Sequence, residues 1–374
     1  MKKLLLAVLF TVSFLPILGL QQVFAVDGDL FVSSRFTDEV MRFNGATGAF
    51  IDDFVSAGSG GLNEPNGLAF GPDGHLYVAS RLTDEVLRYN GVTGAFIDDF
   101  VSAGSGGLDE PVDMEFGPDG HLYVTSALTN EVLKYNGATG AFIDDFVSAG
   151  SGGLLEPRAL TFGGPDGHLF VSSRGTAEVL RYNGATGAFI DIFVSVGEGG
   201  FDIARGLEFG PGSDLYVSSW QTDNVLRYDG STGVSEGEFV NAGDGGLDRP
   251  WSLVFGGQDG NLYVINHVID EVLRYDKVTG NFIDEFVPVS GNGGMDAPFD
   301  LVFKPIAAPP VGGEPLPIES TSLLLAGAQT PIAWMMYAFS ALGIGAFLFT
   351  RNPNNVRNVK VILQDYLDRF SKTG

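Results

Sequence analysis

Arg35, Arg81, Arg158, Arg174, Arg205, Trp220, Trp251 and His267 are the side chains with which this chain could hold a ligand. Guanidinium groups make charge-assisted, often bidentate bonds to anionic oxygens, and indole rings stack on planar or sugar-like faces. These residues stand out because the sequence around them barely varies: TGAFIDDFVSAGSGGL occurs unchanged from Thr47, Thr93 and Thr139. Departures from that template gather at two positions. One reads Asn66, Val112, Arg158, Arg205, Trp251 and Phe299; the other reads Arg35, Arg81, Ala127, Arg174, Trp220 and His267. Other chemistries drop out. His75, His121 and His168 occupy one turn position in successive repeats. Sheets packed about 10 Å apart cannot bring three such imidazoles to the roughly 2.0–2.1 Å of a zinc ion. The chain has no cysteine, its Gly-Ser-Gly-Gly segments lack the Lys-Ser/Thr of a phosphate loop, and it contains no G-x-S-x-G elbow.

The elements that must position these residues follow from one repeat. An LxV segment begins at Leu30, Leu76, Leu122, Leu169, Leu215 and Leu262, giving steps of 46, 46, 47, 46 and 47 residues. A fixed period of this size marks a supersecondary unit that buries its faces against its neighbours. Within one step, four short segments rich in Val, Leu, Ile, Phe and Tyr alternate with turn sequences, and none is long enough for a helix. The spacing predicts strands over 112–116, 121–126, 131–136 and 141–147, with loops at Gly117-Pro118-Asp119-Gly120 and Gly137-Ala138-Thr139-Gly140. Four antiparallel strands per step make a propeller blade, so the fold class is all-β, a six-bladed β-propeller. The first LxV segment has no inner strand before it, whereas 299–303 supplies one too many after the last repeat. That strand is expected to complete the first blade and close the ring. Loops joining strand four to strand one and strand two to strand three leave the same face, so both variable positions should ring one mouth of the channel.

Repeats of the form PxxLxFGPDGxLYVxS resemble those of NHL-repeat propellers, over about residues 27–303. The resemblance implies the ring and leaves function open, since one scaffold serves binders, scaffolds and enzymes. Pro65-Asn66-Gly67-Leu68-Ala69-Phe70 is also similar to the metal-binding segment of the SMP-30/gluconolactonase group. That likeness implies Asn66 as a calcium ligand. Asp113 and Asp300, with Glu115 and Glu208 behind them, would then be the candidates to complete a shell of about six to eight oxygens. Pro-Asn-Gly is equally a turn sequence, and no cofactor is otherwise expected.

The ends of the chain read differently. Residues 1–25 carry Lys2-Lys3, an apolar run and a small residue at Ala25, as in a cleaved signal peptide; an uncleaved anchor is the alternative. After the ring (26–305) comes a Pro-rich spacer (306–329), an uncharged apolar stretch (330–350) and a tail (351–374). The stretch is long enough for a transmembrane helix, and Arg351, Arg357 and Lys360 behind it place the tail in the cytoplasm and the ring outside. Glu314-Pro315-Leu316-Pro317-Ile318-Glu319, the span and Arg351 resemble the C-terminal anchors of exported prokaryotic surface proteins. The net charge of −25 excludes a nucleic-acid partner, which needs a basic footprint. Paired carboxylates such as Asp52-Asp53, Asp98-Asp99 and Asp144-Asp145 fall on fourth strands and are expected to form a solvated outer rim. The expected function is recognition at the cell membrane of a protein, glycan or small anionic ligand. A calcium-dependent lactonase or hydrolase is the alternative, and binding ranks ahead of catalysis.

Overall fold

The computed structural model describes residues 28–305, and the expected signal peptide, spacer, span and tail lie outside them. Six four-stranded antiparallel sheets make up this region. Five follow chain order, as in Pro65–Phe70, Leu76–Ser80, Glu85–Tyr89 and Phe96–Val101. The sixth joins Pro298–Phe303 to Leu30–Ser34, Glu39–Phe43 and Phe50–Val55. Leu30 pairs with Phe303, Phe31 with Val302 and Val32 with Leu301, so the last strand closes the first blade as its phase predicts. The ring is a six-bladed β-propeller. Backbone bonds Gly28 N to Lys304 O and Lys304 N to Asp29 O, both 2.9 Å, extend that closure.

Burial explains the strand sequences. Every residue of Leu76–Ser80 is buried, because a second strand is covered by a blade on each face. The outer strand Phe96–Val101 buries only its last two residues, so acids are tolerated along it. The cement between blades is aromatic. Tyr77 meets Phe100 of its own blade and Phe116 of the next, edge to face, at 4.8 and 4.9 Å. The same trio recurs at Tyr123, Phe170, Tyr216, Tyr263 and Phe31. Gly94 needs its glycine: at φ +71° an added Cβ would lie 1.7 Å from the carbonyl oxygen of Phe54 in the preceding blade.

Two local expectations change. The Gly-Ser connections are not plain loops but hold a single 3-10 turn each, such as Ser59–Gly61, whose Ser59 carbonyl accepts the Tyr89 hydroxyl at 2.7 Å. The outer acids are not simply solvated. Arg42, Arg88, Arg181 and Arg274 on third strands each clasp an aspartate ten residues on, Asp52, Asp98, Asp191 and Asp284, with Nε to Oδ1 at 3.0 Å in every case. Asp144 sits opposite Lys134, whose Nζ reaches Asp119 at 2.9 Å instead.

Candidate functional site

The mouth is assembled from strained, latched loops. The residue before most inner strands has positive φ: Glu64 52°, Glu110 51°, Glu156 51°, Arg249 54° and Ala297 51°. Facing it, the loop between second and third strands carries Asp38, Asp84, Asn130, Asp223 and Asp270, also with φ between 55° and 62°. Their side-chain oxygens accept the amides of Glu64, Glu110, Glu156, Arg249 and Ala297 at 2.7–2.9 Å. Unfavourable backbone geometry persists where surrounding bonds over-determine it, and here each latch ties one blade to the next. The sixth junction differs: Ala177, φ 53°, has no side-chain acceptor to offer before Ala204.

Both variable positions do meet on this face. Arg35 and Arg81 share Glu64, with Arg81 Nη1 at 2.6 Å, and Arg81 Nη2 bonds Glu110 at 2.5 Å. Burial pushes the Glu64 carboxyl up, but the bonds to Arg35 and Arg81 outweigh it and hold the group below its ordinary value. Glu64, Glu110 and Glu156 thus neutralise part of the charge of the mouth arginines. Their signal was available: the position before the inner strand reads Glu, Glu, Glu, Ile, Arg, Ala around the ring.

The other half is under-compensated. Arg174 pairs closely with Glu156, while Arg158 Nη2 stands 3.9 Å from the same carboxylate. Burial and the neighbouring Arg174 push the Arg158 guanidinium down to about 10. Arg205, lowered to about 9 by burial, then by Arg158 and Arg174, lies over Trp251 and Trp220 at 4.3 and 4.9 Å. Trp220 also carries Arg249 at 5.5 Å, and Trp251 packs on Phe299 and His267 at 4.0 and 4.7 Å. The indoles, both half-buried, thus also hold Arg205 in place. Burial lowers the His267 pKa, so the ring is neutral at neutral pH. Its Nδ1 lies 2.9 Å from the carbonyl of Pro298 and donates to it, which leaves Nε2 as an acceptor.

Below the mouth, inner-strand acids line the channel. Asp113 accepts from the amides of Met114 and Leu160 at 2.8 and 2.9 Å, and Asp300 from Ser252 Oγ and Leu68 N at 2.6 and 2.7 Å. Glu115 accepts from Phe162 N at 3.0 Å. Desolvation raises all of them, and Asp113 and Asp300 repel each other; Glu115 reaches about 7, and Glu208 is raised by burial and then by Glu115. These carboxyls staple the three inner strands that carry them to the next blade. Asn66 is buried, its Nδ2 donating to Pro111 O at 3.4 Å and its Oδ1 without a partner. Among the described residues, the acidic trio close enough to share an ion is Asp214, Asp229 and Glu236, on the outer side of one blade, where Arg227 Nε already reaches Glu236 at 2.5 Å.

No protein-family model and no curated protein matches the sequence. Solved structures do match the fold. A chain of the nidogen/laminin complex is similar over 73% of this chain and 97% of its own, at 15% identity and TM-score 0.57. A catalytically inactive histidine-to-alanine variant of virginiamycin B lyase from Staphylococcus aureus, crystallised with quinupristin, is similar over 73% of this chain and 87% of its own, at 13% identity and TM-score 0.52. The likeness is one of fold alone.

Proposed function

We propose that the ring is a recognition module, displayed outside the cell on a C-terminal anchor, whose mouth binds an anionic ligand or an anionic part of a protein or glycan. The observation that carries this reading is Arg205: a guanidinium held against two indoles, with two further arginines beside it and no carboxylate of its own. Leaving a partly buried cation unpaired is costly, and a fold that pairs its arginines elsewhere has ready means to avoid it. The propeller neighbours come from both a binding complex and a lyase, so the fold does not choose between the two classes. The calcium-dependent hydrolase draws less support, because each oxygen of Asp113 and Asp300 already accepts a bond from the ring itself.

The test is an array of anionic glycans, peptides and small molecules probed with the full chain and with an Arg158→Ala, Arg205→Ala, Trp251→Ala triple variant. Hits that vanish in the variant support the mouth; hits that persist unchanged overturn it. Calcium titration beside Asn66→Ala decides the alternative: one tight ion lost in the variant would move the metal reading ahead.

A further inference from the structure

We infer that Arg158, Arg174 and Arg205, grouped beside the carboxylate of Glu156, form a seat for a doubly charged tetrahedral oxyanion, a phosphate group or a free sulfate ion. This rests on the mouth being the binding face and names the chemistry it takes. Three guanidiniums (+3) against one carboxylate (−1) leave +2 at the seat, since the nearby Arg81 and Glu110 pair with each other. A monovalent carboxylate would cancel half of that; a dianion cancels it.

Unused donors point the same way. Among the described residues, the buried Nε atoms of Arg158, Arg174 and Arg205 lack a hydrogen-bond partner. A buried N–H without an acceptor is rare in native proteins and calls for a missing partner. On these three neighbouring arginines the ring leaves guanidinium bonding incomplete, and a phosphate or sulfate supplies several acceptor oxygens that guanidinium forks match.

The seat is also built rather than incidental. Arg158 and Arg205 are the second residues of adjacent inner strands, Pro157–Gly163 and Ala204–Phe209, and Arg174 follows the strand paired with the first of these. Thr125 Oγ1 holds the Arg158 carbonyl at 3.2 Å. Behind Arg205, Gly206 brings its strand so near the next that an added Cβ would lie 2.8 Å from the Trp251 carbonyl oxygen. Trp220 and Trp251 then fix the guanidinium. The junction without a side-chain latch, at Ala177, is the one that precedes this strand.

The full chain carrying Trp334→Phe leaves Trp220 and Trp251 as the only indoles, both touching Arg205. In uncharged detergent at constant ionic strength, its fluorescence is titrated with sulfate, phosphate, methyl phosphate, acetate and chloride. Sulfate and phosphate should give saturable changes that acetate and chloride do not. Arg205→Met should weaken them about 10- to 100-fold, as expected for loss of a hydrogen bond to a charged group. Glu156→Gln, which removes the competing charge, should strengthen them, and this arm stands even if an arginine variant misfolds. Ester binding at least as tight as the free ion would mean a group carried on a larger molecule; a preference for the free ion would mean the ion itself. No saturable dianion response, or one indifferent to both Arg205→Met and Glu156→Gln, overturns the seat. A response lost instead in Arg35→Met would sink the seat and leave the mouth reading standing, whereas indifference to every mouth variant would sink both.

Discussion

On the outer wall, Arg42, Arg88, Arg181 and Arg274 each face an aspartate of the same blade through one repeated geometry. At the mouth, arginines reach across blades, share carboxylates unequally and, at Arg205, have none of their own. Both regions are built on the same scaffold with the same kinds of residue. The difference teaches that local pairing accompanies the repeated template and that uncompensated charge appears where the template is abandoned. Exposure alone does not separate them, since Arg88 and Arg81 are 19% and 18% exposed.

The contrast can be broken at several strengths. Ending the chain at residue 297 removes the closing strand with buried Phe299 and Leu301, and should cost about 5 kcal/mol or more and abolish one cooperative melt for wall and mouth alike. A truncated ring that melted cooperatively at an unchanged temperature would refute closure. Arg42→Met should cost about 3 kcal/mol, because this guanidinium is fully buried and its loss removes the cation 4.0 Å from the nearly buried Asp29 as well as the pair with Asp52. Arg88→Met, with the same pair geometry but partial exposure, should cost nearer 1 kcal/mol by denaturant titration. The channel acids give a pH arm. Glu115 binds its proton more tightly folded than unfolded, so the native state holds the extra proton between its ordinary value of 4.5 and about 7. Stability should therefore fall as pH rises through that window, by up to about 3 kcal/mol from this group, and Glu115→Gln should flatten the slope of melting temperature against pH. The smallest effect is the sharpest in sign: Arg205→Met should leave stability unchanged or raise it by up to about 1 kcal/mol, unlike any wall arginine. A clear loss would place Arg205 with the structural pairs.

Much of this could be read from the repeat. The period gave blade count and strand order, the phase of Leu30 and Phe303 gave ring closure, and loop parity put the two variable positions on one face. What escaped needed register or depth. The pairing of Arg42 with Asp52 depends on hairpin length and on a bulge on each side of Arg42, features that no composition reveals. Glu156 lies next to Arg158 in sequence once the proline is skipped, yet its closer partner is Arg174, brought there by the pairing of Pro157 with Ser173. Asp113 and Asp300 were readable as inner-strand acids; that they staple neighbouring amides was not. That Trp251 packs on Arg205 of the preceding blade was invisible in one repeat.

Ring closure also has a mechanical side. The pair Leu30 to Phe303 is antiparallel, with both chain ends of the described ring leaving from the same end of it, beside the bonds of Gly28 and Asp29 to Lys304. Tension drawn between those two ends would load the hydrogen bonds in series and peel them one at a time. Tension on one end alone, opposed by a ligand held at the mouth, would cross the blades and load many bonds in parallel. A ring tethered at one end is therefore the arrangement in which this fold resists pulling best.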